Sequence, residues 1–124
     1  MEKTIVVDGQ SVQLKSSGGT AMRYKTQFRK DFFTEILKLH KLGQLEKLDL
    51  NKMDDKTMKA IDGLDFEVFY NFTWVLAKTA NPSIPDPLTW LDSFEEFPLF
   101  DFLPEIQDIL AATIQSKKNR MMMK

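Results

Sequence analysis

A dipeptide near the start of the chain, Asp8-Gly9, constrains the fold more than any other feature of the sequence. Two runs of alternating apolar and polar residues flank it, and Asp-Gly favours a two-residue type I′ turn, whose central positions both need positive φ. The sequence therefore predicts a β-hairpin over residues 3–15 with these cross-strand pairs: Val7 with Gln10, Ile5 with Val12, and Lys3 with Leu14. This register gathers the apolar side chains on one face. Because an isolated hairpin is marginal in water, we expect that face to dock on a helix or on a partner.

Helical periodicity dominates the rest of the chain. From Thr20 to Leu42 apolar residues recur at three- and four-residue spacing, which predicts one long amphipathic helix with Thr20 as its N-cap and Gly43 as its stop. Further helices are predicted over 54–61, 65–79, 87–97 and 101–115, the second of them apolar all round, whereas 44–53 is ambiguous between helix and loop. We expect a mainly α fold with an N-terminal β-hairpin (α+β), a compact bundle of about four to five helices. It forms one domain over 1–116, followed by a disordered basic tail at 117–124.

The composition excludes several classes of protein. The 124 residues contain no Cys and a single His, His40, which excludes disulfide scaffolds, thiol catalysis and His-based metal sites. No apolar run is long enough for a signal peptide or a membrane span, so we expect an intracellular, soluble protein. The adjacent carboxylates Glu95-Glu96 and Asp54-Asp55 diverge by about 100° on a helix rather than converging as an acid–base pair. The sequence therefore predicts no enzyme, no cofactor and no metal.

Positive and negative charges nearly cancel over the whole chain, but they are unevenly distributed along it. The formal net charge is −1, yet residues 1–60 carry +4, residues 61–116 carry −9, and the last eight residues carry +4. One interpretation is a basic surface for nucleic acid. A second is a bipolar protomer whose acidic end meets the basic end of a neighbour, a head-to-tail contact that builds rings or spirals. A third is that these are solvated faces without a role.

The long predicted helix carries a candidate basic face. It consists of Arg23, Lys25, Arg29 and Lys30. These side chains could contact phosphates, but the same helix also carries Asp31 and Glu35, and no second helix follows at a helix-turn-helix spacing. A solvated basic face is the competing interpretation, and it is the one that the pattern favours.

Aromatic residues are the most informative excess. The chain has ten Phe, two Trp and two Tyr, and the second half is crowded with them. One interpretation is a Phe-rich core; the other is a groove or an oligomer contact, because aromatic side chains anchor interfaces. The candidate partner-binding residues are Phe28, Phe32, Phe33, Trp74, Trp90, Phe94 and Phe97.

Several segments, in order, resemble one known family. After the predicted hairpin come Leu14-Lys15 and then Ala21-Met22-Arg23-Tyr24-Lys25-Thr26-Gln27-Phe28-Arg29-Lys30-Asp31-Phe32-Phe33. The likeness continues through the Phe/Trp-rich helix at 70–77, Trp90-Leu91-Asp92-Ser93-Phe94, Leu103-Pro104-Glu105-Ile106 and Ser116-Lys117-Lys118. In these segments the chain resembles the tail assembly chaperones of long-tailed phages and prophages of Gram-positive bacteria, over nearly its whole length.

The resemblance implies a non-enzymatic chaperone of tail morphogenesis. Members of that family coat the long helical tape measure protein, keep it soluble and help to recruit tail tube subunits. They act in the cytoplasm of the bacterial host and are absent from the mature virion. Many of their genes also yield a longer product by ribosomal frameshifting, which here would occur near Lys117-Lys118-Asn119, and the extension binds the tail tube protein.

Two other functions stay open beside the chaperone. One is a small helical nucleic-acid-binding adaptor that uses the basic face. The other is a structural phage protein, which would be found in purified virions. Neither interpretation predicts a membrane contact.

Overall fold

A computed structural model of the chain describes residues 2–44, 54–62 and 64–122, with side chains described as far as Ala112. The fold is mainly helical with an N-terminal hairpin, which confirms the predicted α+β class. The described residues contain six helices rather than four or five. The strands and helices are β1 (Glu2–Val7), β2 (Gln10–Lys15), α1 (Thr20–Phe28), α2 (Phe32–Gly43), α3 (Asp55–Asp62), α4 (Glu67–Ala80), α5 (Pro87–Asp92) and α6 (Leu99–Met122).

The hairpin forms in the predicted register. Val7 faces Gln10, and the turn residues Asp8 and Gly9 have φ values of 53° and 75°. Both values are positive, as a type I′ turn requires. The apolar face is buried and docks mainly through β2 on α4, while β1 contacts α6. The expected docking of the hairpin on a helix is therefore what the structure shows.

Helix α4 is the centre of the core. It is buried at Val68, Phe69 and every position of 71–77, so it presents apolar side chains in all directions. Strand β2 and helices α1, α2, α5 and α6 all pack against it. A helix that is apolar all round has to be enclosed in this way, because any exposed side would leave large apolar side chains in water.

The predicted long helix over 20–42 is wrong in one respect: it is two helices. The α1–α2 joint, residues 29–31, separates them although it contains neither Gly nor Pro. Arg29 has a left-handed backbone with φ 57°, and its N–H donates to the carbonyl of Lys25 at 2.8 Å. Asp31 then caps α2, because its Oδ2 accepts from both the amide and the hydroxyl of Thr34 at 3.0 Å. The break therefore depends on a strained residue and a strong cap rather than on a helix breaker.

Other boundaries also differ from the prediction. Gly19 rather than Thr20 is the N-cap residue of α1, and the Thr20 hydroxyl accepts from the amide of Ser17 at 2.8 Å. Helix α5 ends at Asp92 instead of near Phe97, and α6 begins at Leu99. Of the ambiguous segment 44–53, residues 45–53 lie outside the described residues. Helix α6 continues to Met122, past the predicted end at residue 115, so it includes residues 117–122 of the tail that the sequence predicts to be disordered.

Three aspartates cap helices, and we expect them to make stability depend on pH. Asp31, Asp54 and Asp86 each accept hydrogen bonds at or just before a helix start from the threonine three residues later, and these bonds lower the pKa of each carboxyl. The largest cause of the lowered pKa is the hydrogen bond from the threonine amide at Asp31, and the hydrogen bond from the threonine hydroxyl at Asp54 and Asp86. A lowered folded-state pKa contributes stability above the unfolded value of about 3.9, which is lost as pH falls through the folded value.

The matched variant is the triple replacement Asp31→Asn, Asp54→Asn and Asp86→Asn. Asparagine also caps helices well but does not titrate, so the variant is expected to lose less free energy of unfolding than the parent on acidification. Urea unfolding followed by circular dichroism from about pH 6 to about pH 3 measures the difference. An identical decline in both proteins would contradict a role for the three caps.

Candidate functional site

Most of the predicted partner-binding aromatics lie in the core. Phe32, Trp74, Trp90 and Phe94 are between 3% and 8% exposed, while Phe28 and Phe97 are half-buried. Of the seven, Phe33 is the one with a largely exposed side chain, at 50%. The aromatic excess is therefore mainly a Phe-rich core, the interpretation that the sequence also allowed.

The buried aromatic rings form two connected groups. In the first, Tyr24 contacts Phe28 and Phe72 with ring centroids 4.9 and 4.6 Å apart. In the second, the ring of Phe97 lies 5.4–6.2 Å from the rings of neighbours on α4, α5 and α6 and in the α5–α6 connection, which are Phe69, Tyr70, Trp90, Phe102 and Phe94. Trp74 contacts Phe28 at 5.8 Å and donates its indole N–H to the carbonyl of Pro85 at 2.8 Å. These contacts fix α1 and α5 on α4.

A buried polar cluster ties α1 to α2. Glu35 is 1% exposed, accepts from the Tyr24 hydroxyl at 2.8 Å and pairs with Lys38 at 3.0 Å. Burial first, and then this hydrogen bond, raise the pKa of Tyr24 well above its ordinary value. The Nδ2 of buried Asn71 has no hydrogen-bond partner in the described part of the chain. The cluster is enclosed, and its geometry positions helices rather than offering a group to a substrate.

Two of the eight large apolar side chains that are exposed in the described part of the chain lie on the other side of α2. Phe33 and Leu37 are 50% and 64% exposed and stand one turn apart; we call these two residues the α2 outer face. Lys30, just before α2, and Lys41, one turn after Leu37, are exposed near it. Leu37 was not among the residues predicted to bind a partner. The signal was present, because Phe33 and Leu37 form a second i, i+4 apolar row beside the main one.

The predicted basic face is exposed and spans the α1–α2 joint. Arg23, Lys25, Arg29 and Lys30 are all exposed, and none of them forms an ion pair with a carboxylate in the described ranges. Lys25 does interact electrostatically with Asp31, whose pKa it helps to lower. The charge of this face is otherwise exposed to water, where individual ion pairs contribute little to affinity.

Acidic side chains collect where α5 passes into α6. We call Asp92, Glu95, Glu96 and Asp101 the acidic loop; all four are exposed, and none pairs with a described Lys or Arg. Asp8 of the hairpin turn joins them, since its Oδ2 accepts from the amide of Glu95 at 3.2 Å. Part of the negative charge of residues 61–116 is therefore exposed on this loop without a described ion-pair partner.

A groove lies between α2 and α6. Its volume is about 440 Å³, and its lining includes Ile36, Leu39, His40 and Asp108. Helix α6 approaches closely at Gly43, where a Cβ would collide with the Gln107 amide, whose Nε2 donates to the Leu39 carbonyl at 3.4 Å. The lining is mostly apolar and brings no catalytic or metal-binding set together.

Two further features of the described residues concern metal ions and membranes. Within them no group of His, Asp and Glu is arranged to hold a metal ion. None of the described helices has the length and apolar character needed to cross a bilayer. The described surface carries an apolar helix face with exposed Lys30 and Lys41 near it, and the exposed acidic side chains of the acidic loop.

Comparison with known proteins adds no relative. The chain matches no protein-family model, no curated protein and no solved structure.

Proposed function

We propose that this protein is a non-enzymatic phage tail assembly chaperone, which coats the tape measure protein and helps to recruit tail tube subunits. The observation that carries the proposal is the α2 outer face, with Phe33 and Leu37 exposed beside basic side chains. The sequence resemblance supports it, because its longest continuous motif, residues 21–33, forms α1, the joint and the first residues of α2.

The α2 outer face suits an amphipathic helix as its partner. A helix laid beside α2 can pack apolar side chains against Phe33 and Leu37, the helix-to-helix mode of peptide recognition. Lys30 and Lys41 then lie where acidic residues at the edge of the partner's apolar stripe would meet them. A tape measure protein, long and helical, offers such stripes repeatedly, so many copies of the chaperone bind along one rod.

Self-association belongs to the same proposal. The acidic loop of one copy complements the basic face of the next, and both surfaces lack ion pairs among the described residues. A contact between two different surfaces is heterologous, so it propagates into rings or spirals rather than closing as a two-fold dimer. Head-to-tail copies of this kind would line up along a rod-shaped partner.

The gene and the virion give two further criteria for the proposal. A slippery A-rich codon run at 116–120, opening into a second reading frame, would produce the longer product that binds the tail tube protein. The chaperone acts in the cytoplasm of the bacterial host and leaves before the tail is complete. Mass spectrometry of purified virions is therefore expected to find no peptide of this chain, whereas a structural phage protein would be present.

Co-expression with the tape measure protein of the same phage or prophage tests the proposal directly. The wild-type chain is expected to keep the tape measure protein soluble and to co-purify with it. The double variant Phe33→Ser and Leu37→Ser removes the apolar side chains of the α2 outer face, and of the core contacts it deletes the one between the rings of Phe33 and buried Phe32, 5.7 Å apart. We expect it to reduce the co-purified amount by about tenfold or more, as loss of a central apolar contact does.

The matched control is Leu88→Ser, which removes a side chain of similar exposure, 69%, from α5. It is expected to co-purify with the tape measure protein as the wild type does. Equal loss in the control, or full retention in the double variant, would remove the α2 outer face from the proposal. A wild-type chain that neither solubilises nor binds the tape measure protein would refute the function itself.

The unpaired charge of the basic face favours a second candidate function, a nucleic-acid-binding adaptor. Binding of this kind weakens steeply as salt is raised, because bound phosphates release counterions. Fluorescence anisotropy with duplex DNA at several salt concentrations decides between the two. Salt-sensitive binding that Arg29→Ala and Lys30→Ala abolish, in a chain that ignores the tape measure protein, would favour the adaptor.

A further inference from the structure

The α1–α2 joint has the features of a strained hinge. Arg29 holds a left-handed backbone that residues with a Cβ adopt at a cost, and no Gly or Pro in 29–31 enforces the break. The apolar row that begins on α1 at Tyr24 and Phe28 continues on α2 at Phe32 with the same four-residue spacing. A single continuous helix over 20–43 is therefore compatible with the local sequence, and it would relieve the strain at Arg29.

The segment before the joint cannot simply swing away. Residues 2–28 form the exchange unit, and their buried side chains dock on α4 and α6. These side chains are Ile5, Val7, Val12, Leu14, Thr20 and Tyr24. Opening the joint in an isolated copy would leave them in water, which costs far more than the strain returns. An opened copy needs a second copy in the same state, so that each exchange unit finds an equivalent docking site.

We propose that this chain exchanges residues 2–28 between copies, with α1 and α2 joined into one helix through 29–31. The exchange unit of one copy then packs on α4 and α6 of another copy, with the contacts it makes within one chain. The Tyr24–Glu35 hydrogen bond and the Lys3–Glu105 ion pair, 2.8 Å in each case, form between copies instead of within one. Only the backbone of the joint changes conformation. Short connections under strain, such as this joint, favour domain swapping.

The exchange goes beyond the proposed function, because it is a property of the chain alone. It also differs from association through the acidic loop and the basic face, in which every copy keeps its own exchange unit. Repeated exchange in one direction links copies into an open chain, and reciprocal exchange gives a closed dimer. Either product contains the same new continuous helix.

Two substitutions at the joint shift the equilibrium in opposite directions. Arg29→Gly removes the strain of the closed joint and weakens the continuous helix, so it is expected to lower the exchanged fraction about fivefold or more. Asp31→Ala removes the cap that only the broken helix uses and favours the continuous helix, so it is expected to raise that fraction by a similar factor. Light scattering over a wide range of protein concentrations measures the fraction of associated chains.

Cross-linking shows whether the associated copies have exchanged. Heavy-isotope-labelled and unlabelled protein are mixed in denaturant, refolded together and treated with a carbodiimide, which joins a paired Lys and carboxylate without a spacer. Lys3 belongs to the exchange unit, whereas its ion-pair partners Glu105 and Asp108 belong to α6. Mass spectrometry of the linked peptides then separates links within one copy from links between copies. The links that involve Lys3 are identified because they are absent from the Lys3→Ala variant.

Mixed-isotope links from Lys3 to Glu105 or Asp108 in the associated fraction, increased by Asp31→Ala and decreased by Arg29→Gly, support the exchange. Links of a single isotope only, with no mixed-isotope links in the associated protein, would overturn it and leave surface contact as the mode of association. A chain that stays monomeric in all three forms would overturn it as well. Loss of tape measure binding bears on the proposed function alone, because neither light scattering nor cross-linking uses that partner.

Discussion

Replacing Phe72 by alanine is expected to lower the free energy of unfolding by about 3–5 kcal/mol, the range for a large aromatic side chain removed from a core. Phe72 is fully buried on α4, and its ring lies 4.6 Å from that of Tyr24 and 5.6 Å from that of Phe32. Alanine therefore leaves a cavity between α1, α2 and α4 that the neighbours cannot fill without moving. Urea unfolding at neutral pH, followed by far-ultraviolet circular dichroism, measures the loss.

Leu88→Ala is the control for that measurement. The Leu88 side chain is 69% exposed on α5, so its removal is expected to change the free energy of unfolding by no more than about 0.5 kcal/mol. Phe72→Leu keeps most of the volume and is expected to lie between the two. A Phe72→Ala protein as stable as the control would mean that α4 is not enclosed as described.

Removing the carboxylate of Glu35 is expected to cost about 1–3 kcal/mol, although it deletes no large apolar group. In Glu35→Ala the buried hydroxyl of Tyr24 loses the acceptor that it donates to at 2.8 Å, and that unmet donor is the main source of the loss. Lys38 contributes less, because its side chain is 40% exposed and water solvates the ammonium when the partner is gone. Urea unfolding again provides the measurement.

A double-mutant cycle separates the hydrogen bond from the packing around it. Tyr24→Phe removes the hydroxyl but keeps the ring in its contacts with Phe28 and Phe72. In the double variant with Glu35→Ala no hydroxyl remains without an acceptor, so its loss of stability is expected to be smaller than the sum of the two single losses. Additive losses would mean that the two side chains do not interact in solution.

The parts of the fold that could be predicted from the sequence are those that local interactions determine, rather than contacts between separate helices. The hairpin register was predicted residue by residue because the Asp8-Gly9 turn is local and fixes every pair beyond it. The break between α1 and α2 was not predicted, because the apolar periodicity alone favours a continuous helix through residues 29–31. What holds the break closed includes the contact between Tyr24 and Glu35, and a sequence pattern does not reveal such an approach between helices.

The candidate site was predicted less well for a related reason. Aromatic content indicates a large apolar surface but not which side of each ring faces water. Trp74 and Trp90 were candidates for partner binding, yet both are buried: Trp74 lies against Phe28 of α1, and Trp90 lies on α5, which packs on α4. Leu37 is the opposite case: an ordinary residue in a helix whose other face is taken by the core, so that its exposure follows only from the packing of α2.

The enclosed position of α4 has a consequence for the order in which the chain acquires structure. The hairpin and α1 are synthesised first, yet the helix on which they dock comes much later in the chain, and the Ile106, Ile109 and Leu110 side chains that complete the core come later still. Such distant contacts slow folding, because much of the chain must be ordered before they form. During synthesis the apolar face of the hairpin therefore has no docking site until α4 has been made. Neighbouring nascent copies on the same messenger RNA are the nearest molecules that carry such a docking site.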